Sequence, residues 1–289
     1  MTKSTPKASR SSLKCEADML ITLKEILKTQ RTVAAFNVFG YEDAISVVRT
    51  AEEMGCPVIL MTNKDCVDFI PQEIIGPMLV TMAKNASVPV CVHLDHSRSK
   101  ADIERAIASG YTSVMYDGSQ LLIEENLANT KEIVELAHAA GVSVEAEIGS
   151  VGYSDPNVVA KAEYTDPDQA VWFASETDVD ALAVAIGTVH RMKIQEAKID
   201  FDLLKRIKEK VDTPLVIHGS SGVKDEDLAK MCEMGVSKIN LGTSLRMAFG
   251  NTLRRTVNEM ADEFDRLKFF PASMKAVSEK AKEKMTIVK

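Results

Sequence analysis

Hydrophobic and polar positions alternate regularly along the chain from residue 33 onward. A short β-rich apolar run ends in polar residues or glycine, and an amphipathic stretch with helical spacing follows it. The predicted strands are Val33–Asn37, Pro57–Met61, Pro89–His93, Ser113–Tyr116, Ser143–Ile148, Ala181–Ile186, Pro214–Ile217 and Ser237–Asn240.

The segments between these strands are predicted to be helices, for example Ala44–Met54, Lys100–Ser109, Glu124–Ala140, Phe201–Lys210 and Asp225–Met234. Several end at a glycine, as is typical of a helix C-terminus: Gly55, Gly110, Gly141 and Gly235. Apolar strands joined by helices form parallel sheets with both faces covered. Eight such units in one domain predict a closed (β/α)8 TIM barrel. An open doubly wound sheet is the alternative, but the first loop, AFNVFGYED, lacks its glycine-rich fingerprint.

Length and composition agree with a single-domain α/β enzyme. The chain has 289 residues, of which 45% are hydrophobic and 27% charged. A net charge of −7 gives no reason to expect a nucleic-acid partner, and no apolar run is long enough to span a membrane. The five cysteines form no CxxC pair and indicate free thiols in a reducing, cytoplasmic compartment.

Residues 1–18 differ from the rest, because they are basic and rich in serine and threonine. This composition resembles a transit peptide, but it has neither an apolar segment nor a convincing amphipathic pattern. We interpret residues 1–18 as a disordered extension. Residues 19–289 then form the barrel domain, including C-terminal helices.

Four of the five histidines follow predicted strand ends, namely His93, His96, His190 and His218. In a TIM barrel this edge carries the chemistry. Imidazoles from three different strands can converge on one ion and leave an open coordination position, as in catalytic zinc sites. The alternative is a cluster of structural, hydrogen-bonded histidines. Four of five histidines at one rim of the predicted barrel favour a metal site over this alternative.

Carboxylates accompany the histidines. Asp95 lies between two of them in HLDHS, and Glu145 and Glu147 share one face of the fifth strand. Barrel strands have no solvated face, so these glutamates need a metal or another cation as partner. Asp117, at the end of the fourth strand, either orients a ligand histidine or begins a turn.

Two loops have the composition of a phosphate site. The seventh strand leads into HGSSGV and the eighth into NLGTS. Many TIM barrels bind phosphate at these two positions, through backbone N–H groups and a helix N-terminus. Small residues let the backbone approach the anion, and the hydroxyls of Ser220, Ser221 and Thr243 add donors.

Seven motifs in one order then resemble the class II, zinc-dependent fructose- and tagatose-bisphosphate aldolases. They are HLDHS, VMYDGS, EAEIGSVG, YTDP, AVAIGTVH, PLVIHGSSGV and KINLGTSLR, and the resemblance covers residues 19–285. It implies a metal-dependent lyase of sugar metabolism that cleaves a phosphorylated ketose to dihydroxyacetone phosphate and an aldehyde. It also implies a homo-oligomer, a dimer or a tetramer.

The resemblance implies roles for individual residues. Zinc, or a similar divalent cation, would be bound by His96, His190 and His218, with Glu147 at an alternative buried metal position. Asp95 would be the general acid/base. Dihydroxyacetone phosphate would be bound by Gly219, Ser220, Ser221, Asn240, Leu241, Gly242 and Thr243, with a monovalent cation (Na⁺ or K⁺) near the phosphate. His93 would support the site without coordinating.

The chain departs from the family pattern at two places. Arg191 stands where a glycine usually follows the second ligand, and it is expected either to strain a positive φ or to add charge for a phosphate. In the mobile loop, GSVGYSDPN, Tyr153 replaces a glycine and only Asp155 remains at the acidic position. Asp155 is therefore the candidate for shuttling the C3 proton of dihydroxyacetone phosphate.

Three other functions compete with this one. A Schiff-base aldolase would need a desolvated lysine, for which Lys238 is the candidate, but it would leave the rim histidines unexplained. A barrel hydrolase would show an HxH pair after the first strand, where the sequence reads AFNVFG. The third is a metal-binding, catalytically weak or inactive barrel with a binding or regulatory role, which the changes at Arg191 and Tyr153 favour.

Overall fold

A computed structural model describes residues 18–155, 158 and 160–289 of the chain. It contains ten strands: β1 (Val33–Asn37), β2 (Val58–Thr62), β3 (Val90–Ser97), β4 (Ser113–Tyr116), β5 (Ser143–Ile148), β6 (Gly152–Tyr153), β7 (Ala181–Val184), β8 (Val189–His190), β9 (Leu215–Ile217) and β10 (Lys238–Leu241). Eight of them close a parallel barrel in the order β1-β10-β9-β7-β5-β4-β3-β2. The predicted (β/α)8 barrel is confirmed.

The helices among the described residues are α1 (Leu23–Ile26), α2 (Tyr41–Met54), α3 (Lys64–Phe69), α4 (Gln72–Lys84), α5 (Lys100–Ala108), α6 (Ile123–Ala139), α7 (Pro167–Thr177), α8 (Phe201–Lys210), α9 (Asp225–Glu233), α10 (Thr243–Glu259) and α11 (Arg266–Val288). All four glycines predicted to end helices have a positive φ, between 60° and 89°. None of these helices is both long and apolar enough to span a membrane.

The apolar core has two layers, because alternate strand residues face inward and outward. The outer layer lies between the strands and the surrounding helices. The inner layer fills the lumen and includes Val33, Ala35, Ala181 and Ala183, with Leu23 of α1 packed against it. Polar side chains take over where the strands approach their C-terminal ends, and this places the site there.

Two features differ from the predicted elements. Strand β3 continues four residues past its predicted end at His93, to Ser97, through a register shift between Leu94 and Ser97. Strands β6 and β8 pair with each other as a small separate sheet above the barrel, with Tyr153 opposite His190.

The N-terminal extension predicted for residues 1–18 lies almost entirely outside the described residues, and it stays a prediction. Four described cysteines (Cys56, Cys66, Cys91 and Cys232) are buried and free.

Candidate active site

Three histidines from different strands meet at the C-terminal end of the barrel. His96 lies in β3, His190 ends β8, and His218 follows β9 directly. One ring nitrogen from each lies within 4.8 Å of the others, and His218 Nδ1 is 2.7 Å from His96 Nε2. They line a cavity of about 570 Å³. The structure therefore brings together the three histidines expected to bind a metal.

Asp95 and His96 both line this cavity although they are consecutive in a strand. Consecutive strand residues normally point to opposite faces. His96 has a positive φ of 52°, which interrupts the alternation at the register shift in β3. His93 remains on the regular strand, fully buried, with Nδ1 2.7 Å from Ser113 Oγ. It lies outside the three-histidine group, as expected.

Asp117 contacts the back of His96. Its Oδ2 is 3.2 Å from His96 Nδ1 and accepts a hydrogen bond of 3.0 Å from Arg98 Nη2. Burial disfavours an imidazolium, but the carboxylates of Asp95 and Asp117 raise the pKa of His96 to about 10. The contact leaves His96 Nε2 facing the cavity, which is the arrangement expected of a residue that orients a ligand.

Glu147 lies beside the histidines and is 1% exposed. Its Oε1 accepts a hydrogen bond from the Val151 amide, whereas Oε2 has no hydrogen-bond partner and lies 3.7 Å from His96 Nδ1. Burial and the neighbouring Asp117 raise the pKa of Glu147 to about 8. Together with His96 and Asp117 it forms a second group that could bind a cation. An unpartnered buried carboxylate oxygen next to imidazole nitrogens suits a divalent metal.

Two amides hold the carboxylate of Asp95, which is 3% exposed. Asn37 Nδ2 donates to Oδ2 over 3.0 Å, and Asn240 Nδ2 donates to Oδ1 over 3.2 Å. Burial opposes ionisation, but the imidazoles of His96 and His218 lower the pKa of Asp95 below its usual value. Sequence reasoning missed Asn37, although its place at the end of β1 is the signal that could have identified it.

Glu145 has its own partners inside the barrel. Its Oε1 is 2.7 Å from His218 Nε2, and its Oε2 accepts a hydrogen bond of 2.7 Å from Lys238 Nζ. The cation that sequence reasoning required for this buried carboxylate is thus a lysine of β10. The Lys238 ammonium is fully buried and engaged by Glu145.

The predicted phosphate loops follow β9 and β10, which lie on the opposite side of the barrel from β3 and β4. The cavity is lined there by Gly219, Ser220, Ser221, Asn240, Gly242 and Thr243. Gly219 has a φ of 66°, and an added Cβ would lie 2.8 Å from the backbone carbon of Val189. Helix α10 begins at Thr243, so its positive end faces the cavity. The side chain of Leu241 is fully buried, which leaves only its backbone for a ligand.

Arg191 forms ion pairs across the mouth of the cavity. Its Nη1 is 3.0 Å from Asp155 Oδ2 and its Nη2 is 3.0 Å from Asp65 Oδ2, and Arg246 Nη1 also reaches Asp65, over 3.3 Å. Arg191 has the positive φ expected at this position, 60°. Sequence reasoning missed Asp65, which follows β2, a strand on the opposite side of the barrel from β7. The rings of Tyr153 and His190 are in contact, with their centroids 4.7 Å apart.

Comparison with protein families gives a match over nearly the whole chain. The family model described as fructose-bisphosphate aldolase class-II matches residues 17–289.

Solved structures of high similarity include the YdjI aldolase from Escherichia coli K12. It is 36% identical, with 93% of this chain and 97% of that chain covered and a TM-score of 0.81. A putative fructose-1,6-bisphosphate aldolase from Coccidioides immitis is 26% identical, with 92% and 95% covered and a TM-score of 0.81. A fructose-bisphosphate aldolase from Campylobacter jejuni is 19% identical, with 97% and 98% covered and a TM-score of 0.80, which shows the fold alone.

Proposed function

The chain belongs to the class II fructose-bisphosphate aldolase family, and on that premise we propose that it is a divalent-metal-dependent aldolase that cleaves a phosphorylated ketose to dihydroxyacetone phosphate and an aldehyde. The observation that carries the proposal is the group of three histidine nitrogens within 4.8 Å of one another, beside the buried carboxylate of Asp95. These histidines, with Glu147 at an alternative position, would hold zinc or a similar divalent cation, which would supply Lewis-acid stabilisation of negative charge on the substrate.

Asp95 acts as the general acid/base of this proposal. In the cleavage direction its carboxylate removes the proton of the C4 hydroxyl, and in the reverse direction it returns that proton. The amides of Asn37 and Asn240 leave it little freedom to turn, so the accepting oxygen is already positioned. Asp155, on the segment that follows Gly152, shuttles the C3 proton of dihydroxyacetone phosphate.

The substrate phosphate lies against the loops that follow β9 and β10. Gly219, Ser220, Ser221 and the segment from Asn240 through Leu241 and Gly242 to Thr243 offer backbone N–H groups, hydroxyls and the N-terminus of α10. A monovalent cation, Na⁺ or K⁺, balances the charge beside the phosphate. Arg191 adds a guanidinium at the mouth, for which the substrate competes with Asp65 and Asp155.

A retro-aldol panel tests the proposal directly. We expect turnover of at least one of fructose 1,6-bisphosphate, tagatose 1,6-bisphosphate and the ketose 1-phosphates, with zinc present, and loss of turnover after chelation. The protein should hold about one divalent ion per chain. His190→Ala and His218→Ala should each lose the metal and the activity, and retention of both in either variant would falsify the three-histidine assignment.

A second candidate is an aldolase-like barrel that binds metal but turns substrate over weakly or not at all. The observation that favours it is the pairing of Arg191, at a position usually occupied by glycine, with Asp155 and Asp65. Zinc binding with no cleavage of any ketose phosphate in the panel would support this candidate.

We also propose a cytoplasmic homo-oligomer, a dimer or a tetramer. The compartment is inferred from the free cysteines, and the oligomer from the family resemblance. Light scattering on the purified protein tests the second, and a monomer at micromolar concentration would contradict it.

A further inference from the structure

Glu145 has no chemical step in the proposed reaction, yet it lies next to the metal site. Its side chain is 0% exposed, so neither oxygen reaches water. One oxygen faces His218 and the other faces Lys238, at 2.7 Å each. Burying an ionised carboxylate is unfavourable unless a cation balances its charge and hydrogen-bond donors contact its oxygens.

The contact with Glu145 decides which nitrogen of His218 faces the cavity. A carboxylate accepts hydrogen bonds, so Nε2 carries the proton and donates it to Oε1. The lone pair of the neutral ring is then on Nδ1, which points to His96 Nε2 at 2.7 Å. Because the second nitrogen of a metal-bound histidine sets its tautomer and its ring angle, Glu145 orients His218 as a ligand through Nδ1.

Lys238 completes this arrangement from the other side of Glu145. It is fully buried in β10, two residues before Asn240 and therefore on the same lumen-facing side of the strand. Its ammonium donates to Oε2 and thereby restricts rotation of the carboxylate whose Oε1 contacts His218. Without Lys238, Glu145 would be a buried charge with no cationic side chain in contact, since its other close partners are the imidazoles of His218 at 2.7 Å and His93 at 3.8 Å.

We propose that Glu145 and Lys238 are positioning residues for the metal, forming a buried ion pair that holds His218 with Nδ1 toward the ion. This inference rests on the proposed metal site, but it concerns affinity and geometry and not turnover. It assigns a role to two residues that neither coordinate the metal nor contact the substrate.

Metal affinity is the measurement that tests it. Zinc dissociation constants are determined by competition with a chromophoric chelator for the wild type, Glu145→Ala, Glu145→Gln and Lys238→Met. We expect about 10–100-fold weaker binding in Glu145→Ala and Lys238→Met. Glu145→Gln, which keeps an oxygen that can accept from His218, should lose less. The visible spectrum of the cobalt-substituted protein should shift in Glu145→Ala, because the angle of one ligand ring changes.

A double variant separates positioning from general stability. Glu145→Gln combined with Lys238→Met leaves no buried lone charge and keeps the contact to His218, so its zinc affinity should exceed that of Lys238→Met alone. Lys284→Met is the matched control, since Lys284 is also buried (4% exposed) and ion-paired, with Asp225, but lies in helix α11 and has no contact with a histidine of the site. It should lose thermal stability and keep its zinc affinity and cobalt spectrum.

The outcomes divide clearly. Wild-type zinc affinity and an unchanged cobalt spectrum in both Glu145→Ala and Lys238→Met would overturn the positioning role while leaving the metal site intact. Should Lys238→Met fail to fold, the two Glu145 variants still test the positioning role. Glu145→Ala should then lose more zinc affinity than Glu145→Gln, and equal affinities in both would overturn the role. A wild-type protein that binds no divalent ion would overturn the proposed function as well.

Discussion

The floor and the mouth of one cavity are both built from ion pairs, but water reaches them very differently. We call the floor Asp95 and His218, which line the cavity, together with Glu145 and Lys238, which lie behind His218. The mouth consists of Asp65, Asp155, Arg191 and Arg246. Side chains of the floor pair Glu145–Lys238 are 0% exposed, whereas those of the mouth are 27–46% exposed. Charges in a low-dielectric interior interact strongly, and leaving one of them unpaired there costs much free energy. Exposed ion pairs are screened by water and salt and contribute little.

This difference suggests separate roles for the two regions: the floor positions the reacting groups, and the mouth contacts the variable part of the substrate. The floor holds the proposed acid/base and a proposed metal ligand in place, and each of its charges depends on a partner. At the mouth, Arg191 can exchange the carboxylates of Asp65 and Asp155 for a substrate anion with a small change in free energy, because its guanidinium is already partly solvated and screened by salt. We therefore expect a change of residue at the mouth to alter substrate preference, and a change at the floor to remove the site.

The largest effect is expected at the floor carboxylate. Asp95→Ala should lower kcat by about 10²–10⁴, because it removes the proposed general acid/base. Zinc content should stay near one ion per chain, since Asp95 is not among the three ligands. Steady-state kinetics and metal analysis on the same preparation check this, and loss of zinc in the variant would show that its role had been misassigned.

Burial predicts the next effect, on stability. Lys238→Met should lower the free energy of unfolding by about 3–5 kcal/mol, because it leaves Glu145 unpaired in the lumen. Asp65→Asn, at the mouth, should change it by less than about 1 kcal/mol. Denaturant unfolding of both variants without metal measures the contrast. Equal losses would mean that the two regions do not differ as described.

Asp155 tests whether the mouth takes part in the chemistry. If it shuttles the C3 proton, Asp155→Asn should slow detritiation of labelled dihydroxyacetone phosphate by about 10²-fold while binding of that compound stays close to normal. Asp65→Asn is the control, because it removes the other carboxylate on the same guanidinium. Normal exchange in Asp155→Asn would direct attention to another base, with Glu147 as the next candidate.

The smallest effect concerns Arg191 itself. Arg191→Gly should raise KM about 10-fold with little change in kcat, as expected when a charged contact to a substrate anion is lost. The wild-type KM should rise with ionic strength, and that of the variant should rise less. Lower KM or higher kcat in Arg191→Gly would instead mean that the mouth ion pairs obstruct the site, since glycine adopts the 60° φ without strain.

Local sequence was enough for the barrel and for most of the cavity's residues. The alternation of apolar runs and amphipathic stretches predicted eight strands, seven of them within two residues of their observed ends. Parallel strands of a barrel end at one rim, so strand ends alone placed the histidines together with Asp95, Asp117 and Glu147. Their contact distances are consistent with the predicted chemistry, and their roles stay predictions.

Only the closed barrel decided which charges pair with which. Lys238 and Glu145 are far apart in sequence and meet because both face the lumen. Asp65, at the start of α3 after β2, and Arg191, directly after β8, meet because they extend across the mouth from opposite sides of the barrel. The positive φ of His96 places it beside Asp95 on one wall, against the normal alternation of a strand. Hydrophobic periodicity records which face of a segment is buried, but ion pairs between distant segments depend on barrel closure and strand register, which no local pattern contains.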